Sequence, residues 1–282
     1  MSTLTVLDPG PLTTVQDAGR LGWAHLGVPR AGALDRGSAE LANRLVGNPA
    51  DAAVLETTVG GVRVRVDRPG WVAVTGADGP LRVGDRPAGR HEPAWVPAGG
   101  EVLVGAATSG VRAYVAFGGG IAVKPVLGSR STDTLAWVGP AALRAGAVLP
   151  LGVPSGPPGV LEAPAVVRTG ATLRVWRGPR ADWLAPGEWE RLQAARWLVA
   201  ADSNRVGLRL RGPALRRSAG ELPSEGIVLG AVQLPPDGQP VVFLADHPVT
   251  GGYPVVAVVH PDDLGAAAQA RPGTALRFTR AR

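Results

Sequence analysis

Glycine and proline supply 40 and 27 of the 282 residues, close to a quarter of the chain. Glycine loses the most backbone freedom on ordering, and proline removes a donor and clashes with the helical turn before it. A chain punctuated this often has little room for long helices and favours short strands joined by turns. The runs between the breaks agree. Thr3–Leu7, Val62–Val66, Trp71–Thr75, Glu101–Val104, Val111–Phe117, Thr172–Trp176, Val206–Leu210, Ile227–Leu234, Val241–Leu244, Val255–Val259 and Ala275–Thr279 are short and rich in Val, Ile and Leu. In Val62-Arg63-Val64-Arg65-Val66 the alternation puts valines on one face and arginines on the other. Asp67-Arg68-Pro69-Gly70, Pro97-Ala98-Gly99-Gly100 and Pro235-Pro236-Asp237-Gly238 read as the intervening turns.

Three helices are expected: Leu34–Val46, Pro186–Arg196 and Asp262–Ala270, the last capped by Asp262. The architecture predicted is mainly β, a barrel or sandwich with few helices. Leu149–Pro164 has little that can pack or pair and reads as a linker, so the chain divides into domains at 1–155 and 156–282.

Composition closes several routes. There is no cysteine, so disulfides, thiolate nucleophiles, Cys-ligated zinc and iron–sulfur clusters are excluded. The one lysine, Lys124, precedes Pro125, so neither a Walker A motif nor a Met-Lys-Met biotin attachment site exists. Four histidines (His25, His91, His247, His260) lack helical metal-ligand spacing, and no metal site is expected. The net charge of +6 rests on arginine, as a GC-rich genome produces. No basic run interleaved with aromatics points to nucleic acid. The first ten residues do not read as a signal peptide, and no stretch reads as a membrane helix, so a cytoplasmic protein is expected.

Four stretches carry polar chemistry. The first runs from Leu12-Thr13-Thr14-Val15-Gln16-Asp17-Ala18-Gly19-Arg20 to Asp35, and the second from Gly118-Gly119-Gly120 to Leu127-Gly128-Ser129-Arg130-Ser131-Thr132-Asp133-Thr134. The third is Asp202-Ser203-Asn204-Arg205 through Leu210. The fourth joins Glu221-Leu222-Pro223-Ser224-Glu225-Gly226 to Asp246-His247-Pro248-Val249-Thr250-Gly251-Gly252-Tyr253-Pro254. Glycine beside Ser, Thr and Arg lets backbone approach an anion and offers donors to it. Taken singly, each stretch is more simply a capped turn. Ser129, Arg130, Ser131 and Thr132 hold donors suited to a phosphate or carboxylate. Asp17 and Arg20 flank Gly19, whose turn brings both toward one pocket, where the aspartate orients water or a metal. Asp246-His247 offers an acid–base pair, but strand neighbours face opposite sides. No Gly-x-Ser-x-Gly elbow accompanies Ser129 or Ser224.

Together and in this order, the four stretches resemble the allophanate hydrolase subunit 2 family, also called the biotin-dependent carboxyltransferase-like or KipA family. Thr-Thr-Val-Gln-Asp-x-Gly-Arg, Leu-Gly-Ser-Arg-Ser-Thr-Asp and Thr-Gly-Gly-Tyr-Pro carry the resemblance from Thr13 to about Val259. It implies two cyclophilin-like β-barrel domains. It also implies the role of the C subunit in a prokaryotic ATP-dependent 5-oxoprolinase, which opens the lactam of 5-oxo-L-proline to L-glutamate. The partners implied are a B subunit, homologous to allophanate hydrolase subunit 1, and an A subunit of another fold. ATP with magnesium would be used in that complex, with no covalent biotin on this chain. Phosphorylating the lactam oxygen makes a leaving group, arginines bind phosphate or carboxylate, and an aspartate positions water or the metal.

The candidates for catalysis are Asp17, Arg20 and Asp246. Those for substrate or phosphate are Thr14, Gln16, Ser129, Arg130, Ser131, Thr132, Arg205, Thr250, Gly251, Gly252 and Tyr253. The chain departs from the family pattern Asp-Arg-Gln-Thr-Thr-Gly-Gly-Tyr-Pro by carrying His247-Pro248 in place of Arg-Gln. Two other roles stay open: a carboxyltransferase moving CO₂ from carboxybiotin to an amide or urea-type acceptor, and a non-catalytic KipA-like antagonist of a kinase inhibitor.

Overall fold

Val62, Val64 and Val66 are buried while Arg63 and Arg65 between them are exposed, as a strand with one face on a core requires. In the computed structural model, which describes residues 2–158, 171–218, 220 and 222–281, this strand lies in the first of two compact units. That unit contains β1 (Ser2–Asp8), β2 (Thr13–Gln16), α1 (Arg36–Leu45), β3 (Val54–Thr58), β4 (Val62–Val66), β5 (Gly70–Asp78) and β6 (Leu81–Val83). It continues with β7 (Arg86–Pro87), β8 (Pro93–Val96), β9 (Glu101–Val104), β10 (Ser109–Phe117) and β11 (Val148–Leu151).

The strands form a six-stranded sheet, β11-β1-β4-β9-β6-β7, and a five-stranded sheet, β2-β3-β10-β5-β8. A single apolar cluster draws on both: Leu4 and Val6 of β1 and Val64 of β4 meet Val72 and Val74 of β5 and Val115 of β10. Helix α1 packs on β5 and β10, burying Ala42 and Leu45 with Ala73, Tyr114 and Ala116. Asp35 caps α1, accepting from the Ser38 amide at 3.3 Å and the Ser38 hydroxyl at 2.7 Å. The buried Tyr114 hydroxyl accepts from the Asp35 amide at 2.7 Å, and burial pushes the Tyr114 phenol well above its ordinary range.

The second unit is built from β12 (Ala171–Arg177), α2 (Glu188–Ala194), β13 (Trp197–Val199), β14 (Gly207–Arg211), β15 (Glu225–Gly226) and β16 (Ala231–Gln233). It goes on through β17 (Val241–Phe243), β18 (Thr250–Gly251), β19 (Val255–Val259), α3 (Leu264–Ala268) and β20 (Ala275–Arg280). Seven strands close into a barrel in the order β12-β19-β16-β17-β14-β13-β20. The parallel pairing of β12 with β20 completes the ring, and a closed ring has no free edge. Leu173, Val175, Trp197, Leu210, Val232, Leu276 and Phe278 are buried. β15 and β18 form a separate two-stranded ribbon. Residues 21–30 and 134–136 also belong to this unit, although they come from the first half of the sequence.

The mainly β class read from the sequence is present, with corrections in detail. Leu149–Leu151 is not linker but part of β11, paired with β1 through Ser2↔Leu151 and Leu4↔Leu149. The part of the expected linker at 159–164 lies outside the described residues, as does Glu221. The helices are shorter than expected at both ends. Asp262 is not the cap it was expected to be: it is inside a short 3₁₀ turn, and the His260 ring accepts from its amide. The strand expected over Ile227–Leu234 reduces to β16, because Gly230 takes φ +83° and turns the chain.

Candidate functional site

In the first unit the polar residues of two motifs converge on one carboxylate. The turn after β2 places Asp17, whose Oδ1 accepts from the Gly19 amide at 2.8 Å and from the Ser129 and Ser131 hydroxyls at 2.6 Å each. Its Oδ2 accepts from the Arg130 amide at 2.5 Å. The Asp17 amide in turn donates to Ser131 Oγ at 2.9 Å, and the Ser131 amide donates to Ser129 Oγ at 3.0 Å. Three donors meet on Oδ1 and one on Oδ2, so four groups of the chain itself hold this carboxylate. The carboxylate that these loop donors hold is that of Asp17.

A tight hairpin presents this loop. Val126 and Ser129 exchange backbone hydrogen bonds at 2.8 and 3.2 Å, and the two residues between them, Leu127 and Gly128, have φ of +52° and +80°. Two left-handed central residues define a type I′ turn. Glycine meets that demand freely; leucine does so under strain.

Arg20 is buried and reaches the same loop, its guanidinium donating to Ser131 O at 2.5 Å and Val126 O at 3.5 Å. Asp17 and Arg20 thus both serve the 126–131 loop. Gly139 packs against it so closely that a Cβ would lie 2.2 Å from Ser131 O. Gln16 Nε2 donates to Thr14 Oγ1 and to Thr132 O, both at 2.9 Å. Gln16 Oε1 and Thr132 Oγ1 are buried without a hydrogen-bond partner among the described residues. Arg130 directs Nε to Val123 O at 2.8 Å. Both serine hydroxyls of the loop are thus engaged on Asp17.

The second unit repeats the device. Arg205 and Asp246 form a two-pronged ion pair, Nε–Oδ2 2.9 Å and Nη2–Oδ1 3.0 Å, with side chains only 1% and 0% exposed. Thr134 adds two donors to Asp246 Oδ2, its amide at 2.9 Å and its hydroxyl at 2.7 Å. Asp246 therefore clamps the 134–136 segment to the loop that carries Arg205. Thr134 was absent from the candidates named above, although it ends the second motif. Neither Asp246 nor His247 lies in a strand, so the expectation of opposite faces fails: both are buried in a turn. His247 Nδ1 donates to Pro248 O at 2.8 Å, which leaves Nε2 as the acceptor. Burial pushes its ring below the ordinary histidine range, and nearby Arg30 adds to the effect.

Thr250 and Gly251 form β18, paired with β15 through Glu225↔Gly251 and Gly226↔Thr250. Arg180 braces this ribbon with a forked ion pair to Glu225, its Nε at 2.9 and 3.0 Å from the two oxygens. No sequence signal marked Arg180. Gly251 allows a close approach, since a Cβ there would sit 2.8 Å from Gln233 Nε2, and that amide donates to Tyr253 O at 3.1 Å. Thr250 and Tyr253 are exposed, Tyr253 at 46%. This ribbon is the predicted binding element that faces solvent. Among the described residues, no group of three His, Asp or Glu side chains is placed to hold a metal ion, and no helix is long and apolar enough to cross a membrane.

Comparison with known proteins supplies the context. Residues 26–280 match the family described as carboxyltransferase domain, subdomain A and B. The chain is 36% identical to the C subunit of 5-oxoprolinase from Escherichia coli over 98% of this chain and 90% of that one. The crystal structure of TTHA0988 superposes with a TM-score of 0.90 at 37% identity, covering 99% of this chain. The K. lactis urea amidolyase superposes with a TM-score of 0.93 at 30% identity over 99% of this chain. The chain spans 56% of the TTHA0988 chain and 19% of the amidolyase chain.

Proposed function

The chain belongs to the carboxyltransferase domain family, subdomains A and B, and from that premise we propose that it is the C-type subunit of an ATP-dependent 5-oxoprolinase. What carries the reading is the 36% identity to the E. coli protein, sustained over 98% of this chain and 90% of that one. In this reading the complex phosphorylates and opens the lactam of 5-oxo-L-proline, and this chain works with a subunit 1 homologue (B) and an A subunit.

The geometry supports a shared site. Asp17 and Asp246, the two carboxylates singled out for catalysis, each have both oxygens on protein donors. Nucleotide and metal chemistry then fall to the partner subunits. This chain contributes fixed loops and two exposed residues, Thr250 in the β15–β18 ribbon and Tyr253 beside it.

The test is reconstitution. The chain alone, and then with the B and A partners, is assayed for 5-oxoproline-dependent release of phosphate and glutamate. The proposal expects turnover only from the complex; turnover by the single chain refutes it. The family description and the TM-score of 0.93 to the K. lactis amidolyase favour a second reading, carboxyl transfer to a urea-type acceptor. Labelled CO₂ passing from free carboxybiotin to urea, with no 5-oxoproline turnover by the complex, would establish that reading instead.

A further inference from the structure

Away from the loops that hold Asp17 and Asp246, the first unit contains a cavity of about 690 Å³. Its walls are apolar, with Val66 from the end of β4, Trp71 from β5, Val96 from β8, Phe117 from the end of β10 and Leu151 from β11. It therefore opens where strands of both sheets end, a common position for a small-molecule site, and its volume lies within the range of roughly 300–1,000 Å³ typical of such sites.

Two observations bear on what fills it. The first is Arg68, an exposed residue on the cavity wall that acts on its neighbour Asp67 through charge alone. The carboxylate next to it in sequence, Asp67, is taken up by the Thr3 amide at 2.8 Å and by the Ser2 and Thr3 hydroxyls. The guanidinium is thus a forked cationic donor at the wall of an apolar space. The second concerns Gly70 and Gly118, which also line the cavity. Neither has the positive φ that demands glycine. A Cβ on Gly70 would meet nothing within 4 Å, and one on Gly118 would make ordinary contacts, 3.7 Å to Pro154 and 3.8 Å to Trp71 O. A side chain fits at either place without strain, and its absence keeps the space open.

We propose that this cavity is a binding site for an amphipathic monocarboxylate, with its hydrocarbon body between the apolar strand ends and its carboxylate on Arg68. The walls reward an apolar body. Among the described residues Arg68 is the one cation on the wall, which matches a single carboxylate that it can grip through two parallel hydrogen bonds. The site is separate from the 5-oxoprolinase reading and does not depend on it.

The probe is decanoate, titrated into the full chain and followed by calorimetry and by tryptophan fluorescence, since Trp71 lines the cavity and stacks edge-on against Trp95 with ring centroids 5.1 Å apart. Saturable binding is expected. Arg68→Gln should weaken decanoate about tenfold, or about 1.4 kcal/mol, and leave 1-decanol unchanged. Gly118→Leu should abolish binding of both while melting like the wild type; Gly70→Leu gives the same reading if Gly118→Leu fails to fold. Absence of saturable decanoate binding overturns the proposal, as does equal decanoate affinity in Arg68→Gln. Concentration-dependent dimerisation of the wild type that Gly118→Leu removes also overturns it, making the cavity a contact for a second copy.

Discussion

Asp17→Asn separates a catalytic aspartate from one that holds a loop. The substitution keeps size and shape but removes the charge, and it replaces one acceptor oxygen by an NH₂ donor. With the amide oxygen at the Oδ1 position, the bonds from Gly19, Ser129 and Ser131 persist as neutral ones. The NH₂ then faces the Arg130 amide, donor against donor, at the position where Oδ2 accepted at 2.5 Å. An orphaned backbone donor costs about 1–3 kcal/mol, and hydrogen bonds to charged groups contribute about 1.5–3 kcal/mol against 0.5–1.5 for neutral ones. Asp17 is only half-buried, so solvent relieves part of both losses, and we expect a net destabilisation of about 2–4 kcal/mol.

The assay is urea denaturation, where a slope of about 2–3 kcal/mol per molar for a chain of this size turns the loss into a midpoint roughly 1 M lower. Hydrogen exchange at the Arg130 amide should accelerate as well. In the reconstituted complex, any loss of turnover should be recovered by conditions that restore the fold. If Asp17→Asn unfolds like the wild type while turnover in the complex drops tenfold or more, the clasp argument is wrong and Asp17 belongs to the chemistry.

Other expectations follow from the same contacts. Asp246→Leu, which strips a buried guanidinium of its carboxylate, should cost about 3–5 kcal/mol, whereas adding Arg205→Met should recover much of it; denaturation of the four chains of that cycle checks this. The His247 ring, held below the ordinary value of 6.5 by burial, takes up protons more readily unfolded than folded. Stability should therefore be level above about pH 6.5 and fall as pH drops from there through the folded pKa, and His247→Gln should flatten that part of a pH–melting curve. Leu127→Asn, relieving φ +52° at the first central residue of its turn, should raise stability by up to about 1 kcal/mol in thermal melts. Tyr253→Ala should leave stability within about 0.5 kcal/mol, as exposed positions do, while lowering turnover of the reconstituted complex.

Where burial follows a simple period, the fold was legible in the sequence. Val62–Val66 alternates and is a strand, and the helix expected over Leu34–Val46 is present as Arg36–Leu45. The period disappears where a strand is covered on both faces. β3 (Val-Leu-Glu-Thr-Thr) is buried along most of its length, and its Glu56 accepts from the Leu34 amide at 3.0 Å. A buried glutamate in a run of threonines carries none of the alternation that marks a half-exposed strand, so β3 went unrecognised. β2 (Thr-Thr-Val-Gln) fails for the same reason, with all four residues buried. The motif positions were equally visible, but the direction of their side chains was not. Asp17 meets Ser129 across 112 residues of sequence, and Asp246 meets Thr134 across the same separation. Nothing local says that the donors of one motif are answered by the acceptor of another.

Those two long-range clasps change what the motifs mean physically. A reactive carboxylate needs an oxygen directed at water, metal or substrate, whereas Asp17 and Asp246 direct theirs at backbone amides, hydroxyls and a guanidinium of the chain itself. Groups engaged in this way hold a loop where a reaction needs it at no cost in ordering during the reaction. Each unit carries one such clasp, and in each it fixes a segment distant in sequence. Specificity of residue type is as strict for this task as for catalysis: the 129–131 loop needs two hydroxyls at alternate positions, and Asp246 needs a fork on one side and a Thr amide and hydroxyl on the other. Strictness of a motif is therefore no guide to which of its members react. Exposure is a better one, and it singles out the braced Thr250–Tyr253 ribbon.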